Sequence, residues 1–187
     1  ALVAAEGFFG GLGQKAMLDP DVVREGFAAV SSPGRLEVVR RGPAIVLDGA
    51  HNPHGAQATV AAVQEAFAFS PLVGVVGVMG DKDVDGLLAV FEPVFAEIVC
   101  TQAATPRAMA ADELADAAEA LFGQDRVHRA PRLDDALDVA VGLAEGGSGY
   151  GEALGSGGVL VTGSVVTVGQ ARTLLAVSSD RGSGGVR

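Results

Sequence analysis

Short continuous apolar runs alternate with longer stretches of helical periodicity along most of the chain. The runs at 44–47, 73–78, 97–101 and 159–162 are rich in Val and Ile and lack polar alternation, the pattern of strands buried on both faces of a parallel sheet. Between them, residues 55–69 repeat apolar positions at Ala58, Ala62, Val63, Ala66 and Phe67, which predicts a helix. Residues 85–95 predict a second helix ending near Pro93, and 112–122 a third closed by Gly123. Residues 133–144 predict a helix opened by Asp134 and Asp135, and 165–175 the last one. Strands alternating with helices of this length predict an α/β fold, an open and mostly parallel sheet with helices on both faces.

The ends read differently. Residues 1–10 predict a helix broken by Gly10, Gly11 and Gly13. Asp19 and Pro20 form an N-cap and first-position pair, opening a helix whose Val22, Val23, Phe27 and Val30 share an apolar face. Ser31-Ser32-Pro33-Gly34 reads as a linker, so a boundary is expected there: a short helical segment at 1–30, an α/β domain at 31–177 and a frayed polar tail at 178–187. Residues 146–158 hold seven glycines and are expected to form a mobile loop.

Composition narrows the function classes. With 49% hydrophobic residues the chain has apolar surface enough to fold, and one cysteine, Cys100, excludes a disulfide framework and fits a reducing cytoplasm. A net charge of −10 argues against a nucleic-acid surface, and no apolar run is long enough to span a membrane. The N-terminus carries no basic stretch of the kind that opens a signal peptide.

In open parallel sheets ligands bind beyond the carboxyl ends of the strands, so the residues following each run are the candidates. After the first comes Asp48-Gly49-Ala50-His51-Asn52-Pro53, a carboxylate, an imidazole and an amide in one turn. Asp48 and Asn52 equally suit a turn and a helix cap. After the second comes Gly80-Asp81-Lys82-Asp83, where Lys82 could hold an anion or join a local ion pair. After the last comes Thr162-Gly163-Ser164, either an anion-binding helix start or a plain serine cap. Arg35, with Glu37 two residues on, reads in isolation as half of a surface pair. There is no HExxH pair, no Gly-x-Ser-x-Gly elbow and no Gly-x-Gly-x-x-Gly after the first strand. Neither of the two lysines, Lys15 and Lys82, lies in a phosphate-cradling Gly-x-x-x-x-Gly-Lys-Ser/Thr loop.

Taken in order, Pro33-Gly34-Arg35-Leu36-Glu37, Asp48-Gly49-Ala50-His51-Asn52-Pro53, Gly80-Asp81-Lys82-Asp83 and Thr162-Gly163-Ser164 resemble the C-terminal domain of folylpolyglutamate synthase/dihydrofolate synthase, of the Mur ligase superfamily. The resemblance implies a Rossmann-like fold for the α/β domain and an ATP-dependent ligase that joins L-glutamate to dihydropteroate or folate through an acyl phosphate. It implies that Arg35 reaches the nucleotide phosphates and that Asp48 accepts from the ribose hydroxyls. His51 and Asn52 would line the glutamate and acyl-phosphate side, with Asn52 also counted among the nucleotide-binding residues. Lys82 and Ser164 would hold the glutamate. Arg35 and His51 are thus the candidate catalytic residues.

The resemblance further implies ATP with Mg2+, the metal held mainly by a preceding domain, and no metal site in these residues. Residues 1–30 would be the end of that central ATP-binding domain, on which the α/β domain packs in a monomeric cytoplasmic enzyme. Without that domain the 187 residues are not expected to be active. Two other readings remain open at this point: another Mur-type amino-acid ligase, and a stand-alone α/β binding module without catalysis.

Overall fold

The computed structural model describes residues 2–10, 18–30, 32–146 and 157–182. The chain divides into two compact units, Ala1–Pro33 and Gly34–Arg187.

In the first unit, α1 spans Leu2–Gly10 and α2 spans Pro20–Ala28. The Asp19 side chain caps α2 by accepting from the Asp21 N–H at 2.7 Å and the Val22 N–H at 3.4 Å, with Pro20 at the first helical position, where its missing N–H costs nothing. The apolar face read from the sequence stays largely open within this unit: Val22, Phe27 and Val30 are each more than 60% exposed.

The second unit is built on a six-stranded sheet of order β1-β2-β6-β3-β4-β5. Its strands are β1 (Glu37–Arg41), β2 (Ala44–Leu47), β3 (Leu72–Val76), β4 (Glu97–Cys100), β5 (Val127–Arg129) and β6 (Gly158–Thr162). Strands β2 to β6 run parallel, and only β1 is antiparallel, paired with β2. Helices α3 (Pro53–Ala66), α4 (Val84–Phe91) and α5 (Ala111–Phe122) cover one face, packing on Val46, Val76, Ile98 and Leu160. Helices α6 (Leu133–Gly146) and α7 (Val165–Gly182) cover the other, packing on Ile45, Leu47, Val73, Val75 and Val161. Successive side chains of one strand serve opposite cores, so a two-sided sheet needs unbroken apolar runs.

Several boundaries depart from the sequence reading. The edge strands β1 and β5 had no counterpart in it: Glu37, Arg40 and Arg41 hide β1 behind charges that protect a sheet edge from further pairing, and β5 is only three residues long. The last helix runs to Gly182 rather than stopping at Leu175; the remainder of the expected tail, 183–187, and 147–156 of the expected glycine-rich loop lie outside the described residues. In α3 the buried face is Ala56, Thr59 and Val63, with Val60 and Phe67 packed beside it. Ala58, Ala62 and Ala66, which share the apolar spacing that predicts this helix, turn away from the core; alanine spacing alone does not tell a buried face from a cleft wall.

Cys100 ends β4 fully buried, and burial pushes its thiol up to about 12. A thiol held protonated and out of reach is a poor nucleophile. N-ethylmaleimide near pH 8 should therefore leave Cys100 unmodified in the native protein and label it completely on denaturation; ready native labelling would show that β4 opens.

Candidate functional site

All five parallel strands end at one edge, and the chain leaves them in different directions there. From β2 and β3 it crosses to the face of α3 and α4, while from β6, lying between them, it crosses to the face of α7. This divergence opens crevices beside β6 at the carboxyl edge. The three exits are tied together. The Asp48 N–H donates to the Val161 carbonyl at 3.0 Å, the Gly163 N–H to Ala50 at 2.9 Å, the Gly77 N–H to Thr162 at 3.2 Å, and the Thr167 hydroxyl to Gly77 at 2.9 Å. Gly163 adopts φ +97, and a Cβ there would lie 2.9 Å from the Gly77 carbonyl oxygen, so no other residue fits the crossing.

Asp48 is the centre of this edge. It is buried, and three donors reach its carboxylate. Oδ1 accepts from the Ala50 N–H at 2.9 Å and the Thr59 hydroxyl at 2.7 Å, and Oδ2 accepts from the Leu36 N–H at 3.0 Å. The bond to Leu36 anchors the loop that carries Arg35. On the other side of Arg35, the Gly34 carbonyl accepts from the Gly49 N–H at 2.8 Å. Gly34 (φ +70) and Leu36 (φ +47) both lie in the left-handed region, a strained conformation for leucine that its bond to Asp48 helps to hold. Arg35 is therefore gripped through both neighbours while its own side chain stays exposed, with no ion-pair partner among the described residues.

Glu37 completes the loop. It accepts from the Gly34 N–H at 2.8 Å and from Arg172 Nε of α7 at 3.0 and 3.1 Å. Burial alone would raise its carboxyl, but the Gly34 and Arg172 hydrogen bonds outweigh that and hold it below the usual carboxylate range. Its partner is thus Arg172, 135 residues away, rather than Arg35 as the local sequence suggested.

Arg35, Leu36, Asp48, Ala50, Gly55, Ala58, Thr59 and Ala62 enclose a cleft of about 310 Å³. Here the two α3 alanines absent from the core find their place: they form its flat wall with Gly55. Oδ1 of Asp48 already has two donors and Oδ2 only one, so Oδ2 retains acceptor capacity in a residue that lines this cleft.

The other candidates are placed as follows. His51 follows on the same turn, half-buried, with Nδ1 2.9 Å from the Gly49 carbonyl. A carbonyl only accepts, so Nδ1 carries a proton toward it, which leaves Nε2 for other partners. Asn52 caps α3, its Oδ1 accepting from the Gly55 N–H at 2.8 Å. Ser164 is buried at the end of β6 and caps α7 by accepting from the Val166 N–H at 3.1 Å. Lys82 does not line the cleft. Its Nζ pairs with Asp81 at 3.0 Å, and Arg107 reaches the same carboxylate at 3.3 Å; the Lys82 hydrogen bond holds Asp81 below the usual range. Asp83 is occupied in capping α4. Thr59 and Arg172 were not among the sequence candidates, since a threonine inside a helix and an arginine far along the chain carry no local signal.

No group of three or more His, Cys, Asp or Glu side chains among the described residues could hold a metal ion. A guanidinium with no ion-pair partner among the described residues, beside a cleft with an open carboxylate oxygen, suits an anionic, hydroxyl-bearing ligand. No helix among the described residues is long and apolar enough to cross a membrane.

Comparison with known proteins gives a consistent result. A family model described as the Mur ligase, glutamate ligase domain matches residues 34–165. The chain is 50% identical over 178 residues to the dihydrofolate synthase/folylpolyglutamate synthase of Mycobacterium tuberculosis, covering 93% of this chain and 36% of that protein. Among solved structures, the Mycobacterium tuberculosis folylpolyglutamate synthase complexed with ADP and AMPPCP superposes with a TM-score of 0.85 at 49% identity, over 93% of this chain and 38% of the other. The bifunctional folylpolyglutamate synthase/dihydrofolate synthase of Yersinia pestis, complexed with AMPPNP and Mn ion, gives 0.70 at 28% identity over 88% and 36%. The chain spans little more than a third of the length of these relatives.

The Glu37 clamp has a pH signature. A carboxyl group depressed by folding stabilises the fold above its unfolded pKa, and that contribution disappears as pH falls through the folded value. Glu37→Gln should cost about 1 kcal/mol near neutral pH, and the difference from the parent protein should vanish in acid below the normal carboxylate range. Thermal melts of both proteins across pH check this; a difference that persists in acid would exclude the carboxylate as its source.

Proposed function

Since the chain belongs to the Mur ligase, glutamate ligase domain family, we propose that it is the C-terminal part of an ATP-dependent ligase that joins L-glutamate to a dihydropteroate or folate carboxylate. In this reaction an oxygen of the acceptor carboxylate attacks the γ-phosphorus of ATP and ADP departs. The glutamate amine then attacks the acyl carbon of the mixed anhydride, an amide bond forms and inorganic phosphate leaves. The observation that carries the reading is the exposed Arg35 guanidinium held beside the Asp48 cleft by bonds on both flanking residues.

The residues divide the work by their chemistry. Arg35 offers a fork of charged donors to the phosphate chain, where negative charge moves during transfer. Asp48 Oδ2 accepts from a ribose hydroxyl in the cleft. His51, its Nε2 free, orients groups on the acyl-phosphate side, and the amide nitrogen of Asn52, its oxygen committed to the cap, is the part left for a nucleotide contact. Ser164 gives a hydroxyl donor to a glutamate carboxylate. Lys82 serves the glutamate only by exchanging its partner Asp81 for the substrate carboxylate, which makes it a secondary contact.

The chain has no phosphate-cradling loop and no metal cluster among the described residues. We therefore assign ATP phosphate cradling and Mg2+ to other parts of a monomeric cytoplasmic enzyme, and read residues 1–30 as the end of its central ATP-binding domain. The open apolar face of Val22, Phe27 and Val30 supports that assignment. The 187 residues would then not form the amide on their own.

Steady-state kinetics of the full-length ligase test the division. Arg35→Ala should lower kcat by about tenfold or more with little change in melting temperature, because the exposed side chain has no ion-pair partner among the described residues but faces charge that develops in the transition state. Ser164→Ala should raise the glutamate KM by about three- to tenfold and leave the ATP KM unchanged. An Arg35→Ala enzyme with normal kcat, or a Ser164→Ala effect confined to ATP, would refute these roles.

A further inference from the structure

Asp48 can accept from a ligand only if its carboxylate keeps one orientation, and a carboxylate plane turns easily about its terminal torsion. Two of its three internal bonds come from backbone amides on segments adjacent to the cleft, Leu36 and Ala50. The third comes from a side chain on another element, the Thr59 hydroxyl of α3, and at 2.7 Å it is the shortest of the three. Thr59 is itself buried and lines the same cleft.

The Thr59 hydroxyl has one proton and two acceptors in reach: Asp48 Oδ1 at 2.7 Å and the Gly55 carbonyl of its own helix at 3.0 Å. The charged oxygen is the stronger acceptor, so the proton goes to Asp48. With Ala50 and Thr59 both on Oδ1, that oxygen is filled, and the remaining acceptor capacity of the group is concentrated on Oδ2.

We propose that Thr59 is a positioning residue for the nucleotide: its hydroxyl locks the Asp48 carboxylate so that Oδ2 faces the cleft and can accept from a ribose hydroxyl. Thr59 acts through Asp48, so the inference rests on the assignment of Asp48 to the ribose. Removing the hydroxyl leaves Oδ1 with a single donor and lets the carboxylate turn. This weakens a contact made equally in the ground and transition states, so it acts on binding rather than on turnover.

The test is steady-state kinetics of the full-length ligase carrying Thr59→Val, Thr59→Ala, Thr59→Ser or Asp48→Ala, with ATP and glutamate varied separately and melting temperatures measured alongside. Thr59→Val keeps the shape and loses only the hydroxyl; Thr59→Ala serves if the added methyl against Asp48 prevents folding. The hydroxyl-deleted enzyme should show an ATP KM raised about three- to tenfold, with kcat and the glutamate KM within about twofold of the parent. Thr59→Ser, which keeps the hydroxyl, should restore the ATP KM. Asp48→Ala should raise the ATP KM at least as much. If Asp48→Ala raises it and both hydroxyl-deleted variants leave it unchanged, the positioning role of Thr59 is wrong while the ribose assignment stands. If Asp48→Ala leaves the ATP KM unchanged, the assignment fails and the inference with it. A Thr59→Ser enzyme as impaired as Thr59→Val would also overturn it, because the methyl group and not the hydroxyl would then be what matters.

Discussion

A carboxylate removed from water is costly unless donors replace the solvent, and the carboxyl edge of this sheet is arranged around that demand at Asp48. Its three donors come from three pieces of chain: the loop before β1, the turn after β2 and the second turn of α3. Satisfying one buried charge thereby fixes the relative placement of all three. The loop before β1 carries Arg35, the turn carries His51 and Asn52, and α3 supplies the small-residue wall of the cleft. Positive φ at Gly34 and Leu36 is tolerated because the bonds to Gly49 and Asp48 hold the loop from both sides.

The same edge explains why the remaining candidate groups are so unevenly placed. Ser164 lies next to the Asp48 turn because β6 is hydrogen-bonded beside β2 and the Gly163 N–H reaches Ala50. Lys82 follows β3, on the far side of β6, and its charge is already balanced by Asp81. In a chain of net charge −10, Arg35 stands at a cleft with no ion-pair partner among the described residues, so an anion can be held there. That suits the proposed role of a domain that supplies charge and orientation to a phosphoryl transfer.

Much of the architecture was legible because strands buried on both faces leave unbroken apolar runs: β2, β3, β4 and β6 were all visible as such. The edge strands were not, because β1 carries Glu37, Arg40 and Arg41 where a core strand would carry valines, and β5 is too short to show a period. Asp48, Asn52 and Ser164 stood out in the sequence, and in the structure each bonds neighbouring backbone as a turn or cap residue as well as standing at the strand edge. A turn or cap bond leaves each of these side chains with further hydrogen-bonding capacity. Long-range partners were out of reach of any local pattern: Arg172 meets Glu37 across 135 positions, and Thr59 differs from an ordinary helical threonine only by what faces it. Ala58 and Ala62 mark the other limit, since a cleft wall and a core face share the same spacing.

The central claim is that the Asp48 carboxylate holds the Arg35 loop and the following turn in place. Amide hydrogen exchange on this chain, compared with its Asp48→Asn variant, tests it most directly. An amide side chain offers one acceptor oxygen, so it cannot satisfy donors on both sides as a carboxylate does. The account predicts that the Leu36 or Ala50 amide, or both, exchange at least about tenfold faster in the variant, while amides in the centre of β3 and β6 keep their protection. Unchanged exchange at Leu36 and Ala50, or an equal acceleration throughout the sheet, would contradict it.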